Sequence, residues 1–357
     1  MVYLKVKDLE EVGYQAFLGA NAPDGYARTV AKHLVENNIL GHHSHGIIRV
    51  IGYNTRIKDG GLVPDAEPEL VKESETTAVV DGHWTFGQVP AEFATDILIK
   101  KAKKYGMGSV SLRNLSHLGR VGHYAERLAD EGLASILFVA CGGWGGAQAP
   151  FGGKEARLCT NPMAMGFPYH PGSPFLTDIA TSATAEGKLR VYRARGEKVR
   201  DGWILDSDGN PSNDPNDFYN GGTILPTGGI SSGHKGYALA FMVDLFGSVI
   251  SQGGSPGQKS EYFSNTSFFM AVDVERFVPL EKLREDADTM VRHVKDTPLI
   301  DESKPILYPG EMEANARKGA ESKRIGLEEA TWNGFVDVLR EYSRESIVDS
   351  LDIADHE

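Results

Sequence analysis

The chain has 357 residues, 41% apolar and 24% charged, which is typical of a globular protein with an ordinary core. Its formal net charge of −12 repels phosphate backbones and anionic lipids, so nucleic acid and membrane surfaces are disfavoured as partners. The two cysteines, Cys141 and Cys159, lie in apolar stretches and predict buried thiols in a reducing, cytoplasmic compartment. We expect neither a signal peptide at the start nor an apolar run that spans a bilayer.

The first quarter of the chain predicts helices. Residues 8–40 form two helical stretches, separated by a Pro-Asp-Gly break at 23–25. In the second stretch, apolar residues recur at helical spacing from Ala27 to Val35. A third helical stretch covers residues 47–58 and ends before a Gly-Gly pair.

From residue 76 onward, β-type runs alternate with amphipathic helices, which predicts an α/β core. The predicted strands are 77–80, 109–112, 133–141, 162–168, 175–180 and 268–273, and the predicted helices are 89–104 and 119–131. Residues 236–251 predict an apolar helix packed in the core. The chain from about 275 is charged and predicts helices, including a run at 311–324, and we expect these to join the N-terminal helices in one lobe.

Two glycine-rich segments fall short of the usual nucleotide-binding motifs. Gly106-Met107-Gly108 has Ser111 where a dinucleotide fingerprint needs its third glycine. The segment 228–235 has the glycine spacing of a P-loop, but no Ser or Thr follows Lys235. A dinucleotide would therefore bind here by another route.

The segment Ser44-His45-Gly46 opens the third helical stretch, on which Arg49 and Tyr53 lie four residues apart on one face. An imidazole can give or take a hydroxyl proton, a guanidinium can clamp a carboxylate, and a phenol can donate a hydrogen bond. Spacing alone favours a simpler interpretation, a capped helix with a surface arginine. A metal site from His42, His43 and His45 is conceivable, but no carboxylate spacing supports it.

Three further segments are candidates for ligand binding. His117 follows a predicted strand and opens a helix, where α/β enzymes often place their sites, although a loop histidine with local hydrogen bonds explains it equally well. Residues 177–182 put small polar side chains after a strand and could line a cofactor phosphate or ribose. Lys235 lies near the predicted start of the apolar helix, where an anionic ligand would offset its unfavourable interaction with the helix dipole.

Taken in order, these segments resemble the type-2 malate/L-lactate dehydrogenase family, which also holds ureidoglycolate, sulfolactate and diketogulonate enzymes and a cyclic-imine reductase. The similarity covers nearly the whole chain. The segments that carry it are Ser44-His45-Gly46 with Arg49 and Tyr53, Ser116-His117-Leu118-Gly119, Ala149-Pro150-Phe151-Gly152-Gly153, Thr160-Asn161-Pro162, Asp178-Ile179-Ala180-Thr181-Ser182, Gly187-Lys188, His234-Lys235-Gly236-Tyr237 and Pro309-Gly310-Glu311.

The resemblance implies an α/β fold with a non-Rossmann mixed-sheet core flanked by helices, and a helical lobe formed from both chain ends. It implies an NAD- or NADP-dependent dehydrogenase of small 2-hydroxy acids that is a homodimer with its active site near the subunit interface. We expect residues 1–75 with 280–357 to form a helical substrate and dimerisation lobe, and residues 76–279 a cofactor-binding domain.

The family's functional positions fall on specific residues here. Its acid/base histidine corresponds to His45, and a second catalytic histidine to His117. Substrate binding is expected from Ser44, Arg49 and Tyr53. Cofactor contacts are expected from Asp178, Ile179, Ala180, Thr181, Ser182, His234, Lys235, Gly310, Glu311 and Met312. No metal ion is expected.

Two positions depart from the family pattern. Cys159 stands where the family usually has glycine, and the stretch 227–233 is longer than the usual turn. Two alternative functions stay open: a reductase of a cyclic imino acid on the same scaffold, and a nucleotide-binding protein without activity. The sequence does not distinguish NAD from NADP.

Overall fold

The computed structural model describes residues 1–143, 146–258 and 262–354, and it is a mixed α/β structure whose seven-stranded sheet is flanked by helices. This confirms the predicted fold class. The helices are α1 Val6–Gly19, α2 Asp24–Ile39, α3 Arg49–Lys58, α4 Gln88–Tyr105, α5 Gly122–Asp130, α6 Glu186–Arg195, α7 Pro215–Tyr219, α8 Gly229–Asp244, α9 Leu280–Lys295, α10 Glu311–Arg317 and α11 Glu329–Glu341. The strands are β1 Val2–Lys5, β2 Glu69–Glu73, β3 Thr77–Asp81, β4 Met107–Leu115, β5 Leu133–Cys141, β6 Met163–His170, β7 Ser173–Ile179, β8 Ile204–Leu205, β9 Pro211–Ser212, β10 Thr223–Ile224, β11 Asn265–Asp273, β12 Arg324–Leu327 and β13 Ile353–Ala354.

The large sheet has the strand order β2-β3-β4-β11-β5-β6-β7. Strands β3 and β4 are parallel, and every other neighbouring pair is antiparallel. Helices α4 and α5 cover one face, where Leu98 and Tyr124 are fully buried with Val110 and Leu137 of the sheet. The late strand β11 lies between β4 and β5, so the sheet requires a long-range pairing that no local pattern indicates.

The two chain ends meet in a second core. Strand β1 lies between β12 and β13, with Val2 opposite Leu327. Side chains of α1, α2, α3 and α11 form one buried cluster, in which Phe17, Leu34 and Phe335 are fully buried. The expected lobe from both chain ends is therefore present. The predicted helical run 311–324 is wrong beyond Arg317, because Arg324–Leu327 satisfies its backbone by pairing with β1.

The apolar helix was predicted over 236–251 and packed in the core, whereas the structure starts it earlier and packs only one side of it in the core. Helix α8 begins earlier, at Gly229, and a π-helical turn, Leu245–Val249, follows it. One side is buried, with Val243 packed against Ala140 and Met163 of the sheet. The opposite side exposes between 39% and 48% of Leu239, Phe241, Met242 and Leu245.

Helix α9 lies over the second face of the large sheet, although it starts the segment that we assigned to the helical lobe. It and the sheet line a cavity of about 970 Å³, with Met165 and Met270 from the sheet and Leu283 and Met290 from α9. The proposed division into a substrate lobe and a cofactor domain stays a prediction. Within the described ranges, no helix is both long and apolar enough to cross a membrane.

Candidate active site

The candidate residues gather at one edge of the large sheet. Strands β4, β5 and β7 run in the same direction, so their carboxyl ends lie along the same edge. His117 follows β4 by two residues, and Asp178 and Ile179 end β7. In open α/β sheets this edge is where ligands bind. The helical lobe places the turn between α2 and α3, with His45, against it.

The end of α2 holds the His45 turn in place. Asn37 Nδ2 donates a hydrogen bond of 2.9 Å to the His45 carbonyl, and Asn38 Oδ1 accepts one of 2.7 Å from the Ile47 amide. A Cβ at Gly46 would lie 2.0 Å from Asn38 Oδ1, so only glycine fits between them. These contacts fix the backbone of His45 before any ligand binds.

His45, His117 and Tyr53 form one cluster. The rings of the two histidines stack with their centroids 5.4 Å apart. Tyr53 Oη lies 2.8 Å from His117 Nδ1 and accepts a 2.9 Å hydrogen bond from Gln88 Nε2. The Tyr53 hydroxyl also lies 3.3 Å from the His117 carbonyl, so it contacts both the ring and the backbone of His117 and orients that residue. The sequence analysis did not identify Gln88.

The cluster lies among positive charges. Burial, together with the nearby charges of Arg49, His42 and Arg120, lowers the pKa of His45 to about 3. Burial also lowers the pKa of His117 well below its usual value, and again Arg49 contributes. Burial raises the pKa of the Tyr53 phenol to about 12. Both imidazoles are therefore neutral at physiological pH, and both have neighbouring cations.

Arg49 lies beside His45, and among the described residues only one N–H group of its guanidinium donates a hydrogen bond. Its Nε donates a 2.7 Å hydrogen bond to the Ser44 carbonyl, and no carboxylate of the described residues lies within ion-pair distance. Ser44 Oγ is 3.0 Å from His45 Nδ1. Arg49 begins α3 and Tyr53 lies one turn further along, as the spacing predicts. The structure therefore brings Ser44, His45, Arg49, Tyr53 and His117 together.

The expected cofactor segments lie next to this cluster. Asp178 Oδ2 accepts a 2.7 Å hydrogen bond from the Gly122 amide, and burial raises the pKa of this carboxyl. Arg120 lowers the pKa of both Asp178 and His45, so its charge acts on both groups. The Thr227 amide donates to the Thr181 carbonyl at 2.8 Å. The segment from Asp178 to Ser182 thus lies along the start of α8.

The remaining expected cofactor residues differ in exposure. His234 and Lys235 are both exposed on α8, and the His234 ring contacts Phe151 with centroids 5.6 Å apart. Because α8 begins at Gly229, Lys235 is not in its first turn, and the predicted conflict with the helix dipole is absent. The longer stretch 227–233 forms the approach to α8 and its first turn.

The third cofactor segment, Gly310 to Met312, packs on β7. Gly310 has a φ of 96°, and a Cβ there would lie 2.5 Å from the Pro174 carbonyl oxygen. The Glu311 carboxylate binds Lys295 Nζ at 2.5 Å and the Tyr308 amide at 2.9 Å, so its side chain stabilises the turn. Met312 is 59% exposed. The next residue, Glu313, lies 3.5 Å from His42 Nε2 and so links this segment to the His45 turn.

Arg120 is a second residue that sequence reasoning missed. It is only 3% exposed, and its Nη2 binds Glu126. Its Nε and Nη1 are buried without a hydrogen-bond partner in the described structure. The only sequence signal was its place in the glycine-flanked turn after His117, which does not reveal burial. Among the described residues, no group of three or more His, Cys, Asp or Glu side chains could hold a metal ion.

Comparisons with known proteins agree with this geometry. A family model described as malate/L-lactate dehydrogenase matches residues 4–335. The chain is 36% identical over 323 residues to the malate dehydrogenase of Pyrococcus horikoshii, covering 86% of this chain and 88% of that protein. The structure matches that of a putative malate/lactate dehydrogenase from E. coli with a TM-score of 0.91 and 32% identity, covering 98% and 99% of the two chains. It also matches a delta1-piperideine-2-carboxylate reductase from Pseudomonas syringae with a TM-score of 0.83 and 24% identity, covering 94% and 99%. That last likeness shows a shared fold.

Proposed function

Because this chain belongs to the malate/L-lactate dehydrogenase family, we propose that it interconverts a small 2-hydroxy acid and its 2-oxo acid in an NAD(P)-dependent reaction. The observation that carries the proposal is the stacked pair His45 and His117 beside Arg49, at the carboxyl edge of the sheet. These residues supply a proton carrier and an anion-binding group in one place. The positive pocket also explains how a protein of net charge −12 attracts an anionic substrate.

Arg49 is proposed to bind the carboxylate of the substrate. Its guanidinium is held by one hydrogen bond to the Ser44 carbonyl and keeps further N–H groups for a bidentate contact. Tyr53 contacts His117 through its hydroxyl and so helps to position that ring in the site. Fixing the carboxylate orients C2 of the substrate, and orientation of this kind can lower a barrier by several kcal/mol.

His45 is proposed to be the acid/base. In the free enzyme its imidazole is neutral, as the oxidation of a hydroxy acid requires, because it can accept the hydroxyl proton directly. In the reduction direction, His45 must carry a proton and give it to the forming alkoxide. A substrate carboxylate on Arg49 offsets the arginine charge that lowers the pKa of His45, so substrate binding itself favours that protonation.

The residues around Asp178 fit a nicotinamide cofactor. Arg120 offers two buried N–H groups without a partner, and Lys235 is an exposed cation beside the segment from Asp178 to Ser182. Gly310 packs closely on β7, and the Met312 side chain two residues further on is exposed. We propose that Asp178–Ser182, His234, Lys235 and Gly310–Met312 hold NAD or NADP, which, when bound, supplies or accepts the hydride.

We further propose that the protein is a homodimer. The exposed apolar side of α8, with Leu239, Phe241, Met242 and Leu245, is the kind of surface that a second copy would cover. Light scattering after gel filtration tests this directly, because a dimer has twice the mass of one chain. A stable monomer with the same surface exposed would refute the proposal.

The decisive experiment follows the oxidation of NADH and of NADPH by absorbance against a panel of 2-oxo acids and one cyclic imino acid. Turnover of a 2-oxo acid supports the proposal and identifies the cofactor. Turnover of the imino acid alone would assign the scaffold to C=N reduction instead. A folded protein that binds nucleotide and turns over nothing would be a binding protein, and the proposed activity would fail.

A further inference from the structure

We propose that Arg56 recognises a second anionic group on the substrate, so that the enzyme prefers 2-oxo acids with a distal carboxylate or sulfonate over monocarboxylic ones. The inference rests on the proposed function and adds a residue that determines substrate specificity.

Arg56 lies on the helix face that forms the pocket. On α3, Arg49, Tyr53 and Arg56 are separated by four and three residues, which places them along one side. The Cα atoms of the two arginines are then about 10 Å apart along the axis. Tyr53 lies between them, with its hydroxyl on His117. Arginine side chains are long enough to converge on one small molecule from these two positions.

Phe263 orients the guanidinium of Arg56, which has no counter-charge among the described residues. Its Nη1 donates a 3.2 Å hydrogen bond to the Phe263 carbonyl, and its Cζ lies 4.5 Å from the centroid of the Phe263 ring. These contacts hold the group without supplying a negative charge. No carboxylate among the described residues comes within ion-pair distance of it.

The charge of Arg56 acts inside the same pocket. Burial lowers the pKa of Arg56, Tyr53 raises it, and the like charge of Arg49 lowers it again. Arg56 in turn contributes to the lowered pKa of His117. The Cys141 thiol, at the end of β5, also acts on Arg56. Because Phe263 comes two residues before β11, the hydrogen bond to its carbonyl places the guanidinium between α3 and this end of the sheet, where an anion would relieve the repulsion between the two arginines.

Lys58, the next cation along α3, differs from Arg56 in its surroundings and supplies a matched control. Lys58 lies two residues further on, is exposed and forms an ion pair with Glu341, away from the pocket. Replacing it removes one positive charge from the same helix without touching Tyr53 or His117. Lys58→Gln therefore controls for net charge and for the stability of α3.

The test compares kcat/KM for oxaloacetate and for pyruvate in the wild type, Arg56→Gln, Arg56→Lys and Lys58→Gln. We expect the wild type to prefer oxaloacetate. We expect Arg56→Gln to lower kcat/KM for oxaloacetate by roughly 10- to 100-fold, which corresponds to losing one charged hydrogen-bonded contact. The loss for pyruvate should be at least tenfold smaller. Arg56→Lys should show an intermediate loss for oxaloacetate, and Lys58→Gln none for either acid.

Each other outcome counts against the inference. A wild type that prefers pyruvate while turning over both acids overturns the role of Arg56 and leaves the proposed function intact. Equal losses for both acids in the Arg56 variants would assign Arg56 a structural role through Phe263. A selective loss of oxaloacetate in Arg120→Gln, but not in Arg56→Gln, would move the site to Arg120. No turnover of any 2-oxo acid overturns the proposed function and this inference with it.

Discussion

Two partly buried histidine clusters lie close together in this molecule, and they differ in their counter-charges. In the first, His123 lies between two carboxylates, with Nδ1 3.0 Å from Glu36 and Nε2 2.6 Å from Glu92. Burial alone would lower the pKa of His123, but the hydrogen bonds to these carboxylates raise it to about 9. In the second, neither His45 nor His117 contacts a carboxylate of the described residues, and burial among cations lowers both pKa values.

The clusters are linked through His33. Its ring contacts that of His123 with centroids 4.7 Å apart, and its Nε2 accepts the Arg120 amide at 3.1 Å. The difference therefore does not come from depth or position but from which charges surround each ring. A histidine paired with carboxylates is charged, and its ion pairs connect helices, here α2, α4 and α5. A neutral histidine beside free arginines keeps its lone pair for a ligand.

The largest expected effect is on kcat, which a substitution in the His45 cluster should lower far more than one in the His123 cluster. His45→Gln removes the proposed acid/base, and we expect kcat to fall by about 10²- to 10⁴-fold. His123→Gln leaves the residues around His45 unchanged, so its kcat should stay within about threefold of the wild-type value. Steady-state kinetics in both directions measures this. Near wild-type turnover by His45→Gln would refute the assignment, and His117→Gln would then be tested.

The same two variants should differ in the opposite direction in stability: His123→Gln should lose more free energy of unfolding than His45→Gln. His123→Gln leaves Glu36 paired with Arg317 and Glu92 with Arg127, and losing the charge-assisted hydrogen bonds of His123 from this partly buried network costs about 2 kcal/mol of unfolding free energy. His45→Gln breaks no ion pair and should change that free energy by less than about 1 kcal/mol. Urea titrations of both proteins give the comparison. Equal destabilisation would show that the His45 turn is also a structural tie.

The pH dependence of stability sharpens the contrast further. Because the pKa of His123 is about 9 in the folded protein and 6.5 in its ordinary state, its contribution is fully present below pH 6.5 and is lost as the pH rises through 9. The loss amounts to about 3 kcal/mol at most. The lowered pKa of Glu92 acts in the other direction, since its contribution is lost as the pH falls. Unfolding midpoints across this window should fall for the wild type and stay flatter for His123→Gln.

How much of this the sequence could predict depends on the range of the interactions. Strand β5 was predicted with its observed bounds, because an apolar run between turns is a local signal. Helical spacing likewise placed Arg49 and Tyr53 on one face. The ordered motifs placed His45 and His117, but they did not show that the two rings stack.

What the sequence could not predict depends on distant partners. Strands β1 and β12 are four residues long and pair across more than 300 positions, so neither has a periodic pattern of its own. Glu36 and His123 are 87 residues apart, and nothing local indicates their contact. The exposed side of α8 was missed because apolar composition does not distinguish a core from a surface that a partner covers.

The smallest expected effect is a shift in the pKa of His45, and it tests why the two clusters differ in charge. Arg49 is the largest charge contribution to the lowered pKa of His45, after burial, so Arg49→Gln should move that pKa upward toward its ordinary value. It should leave His123 unchanged, because Glu36 and Glu92 determine the charge of that ring. NMR titration of histidine-labelled protein follows both rings in one sample, with His45 titrating near 3 and His123 near 9 in the wild type. If His45 did not move in Arg49→Gln, burial alone would account for its neutral state. The arginine would then bind substrate without setting the protonation of the base, and the link between carboxylate binding and protonation of His45 would fail.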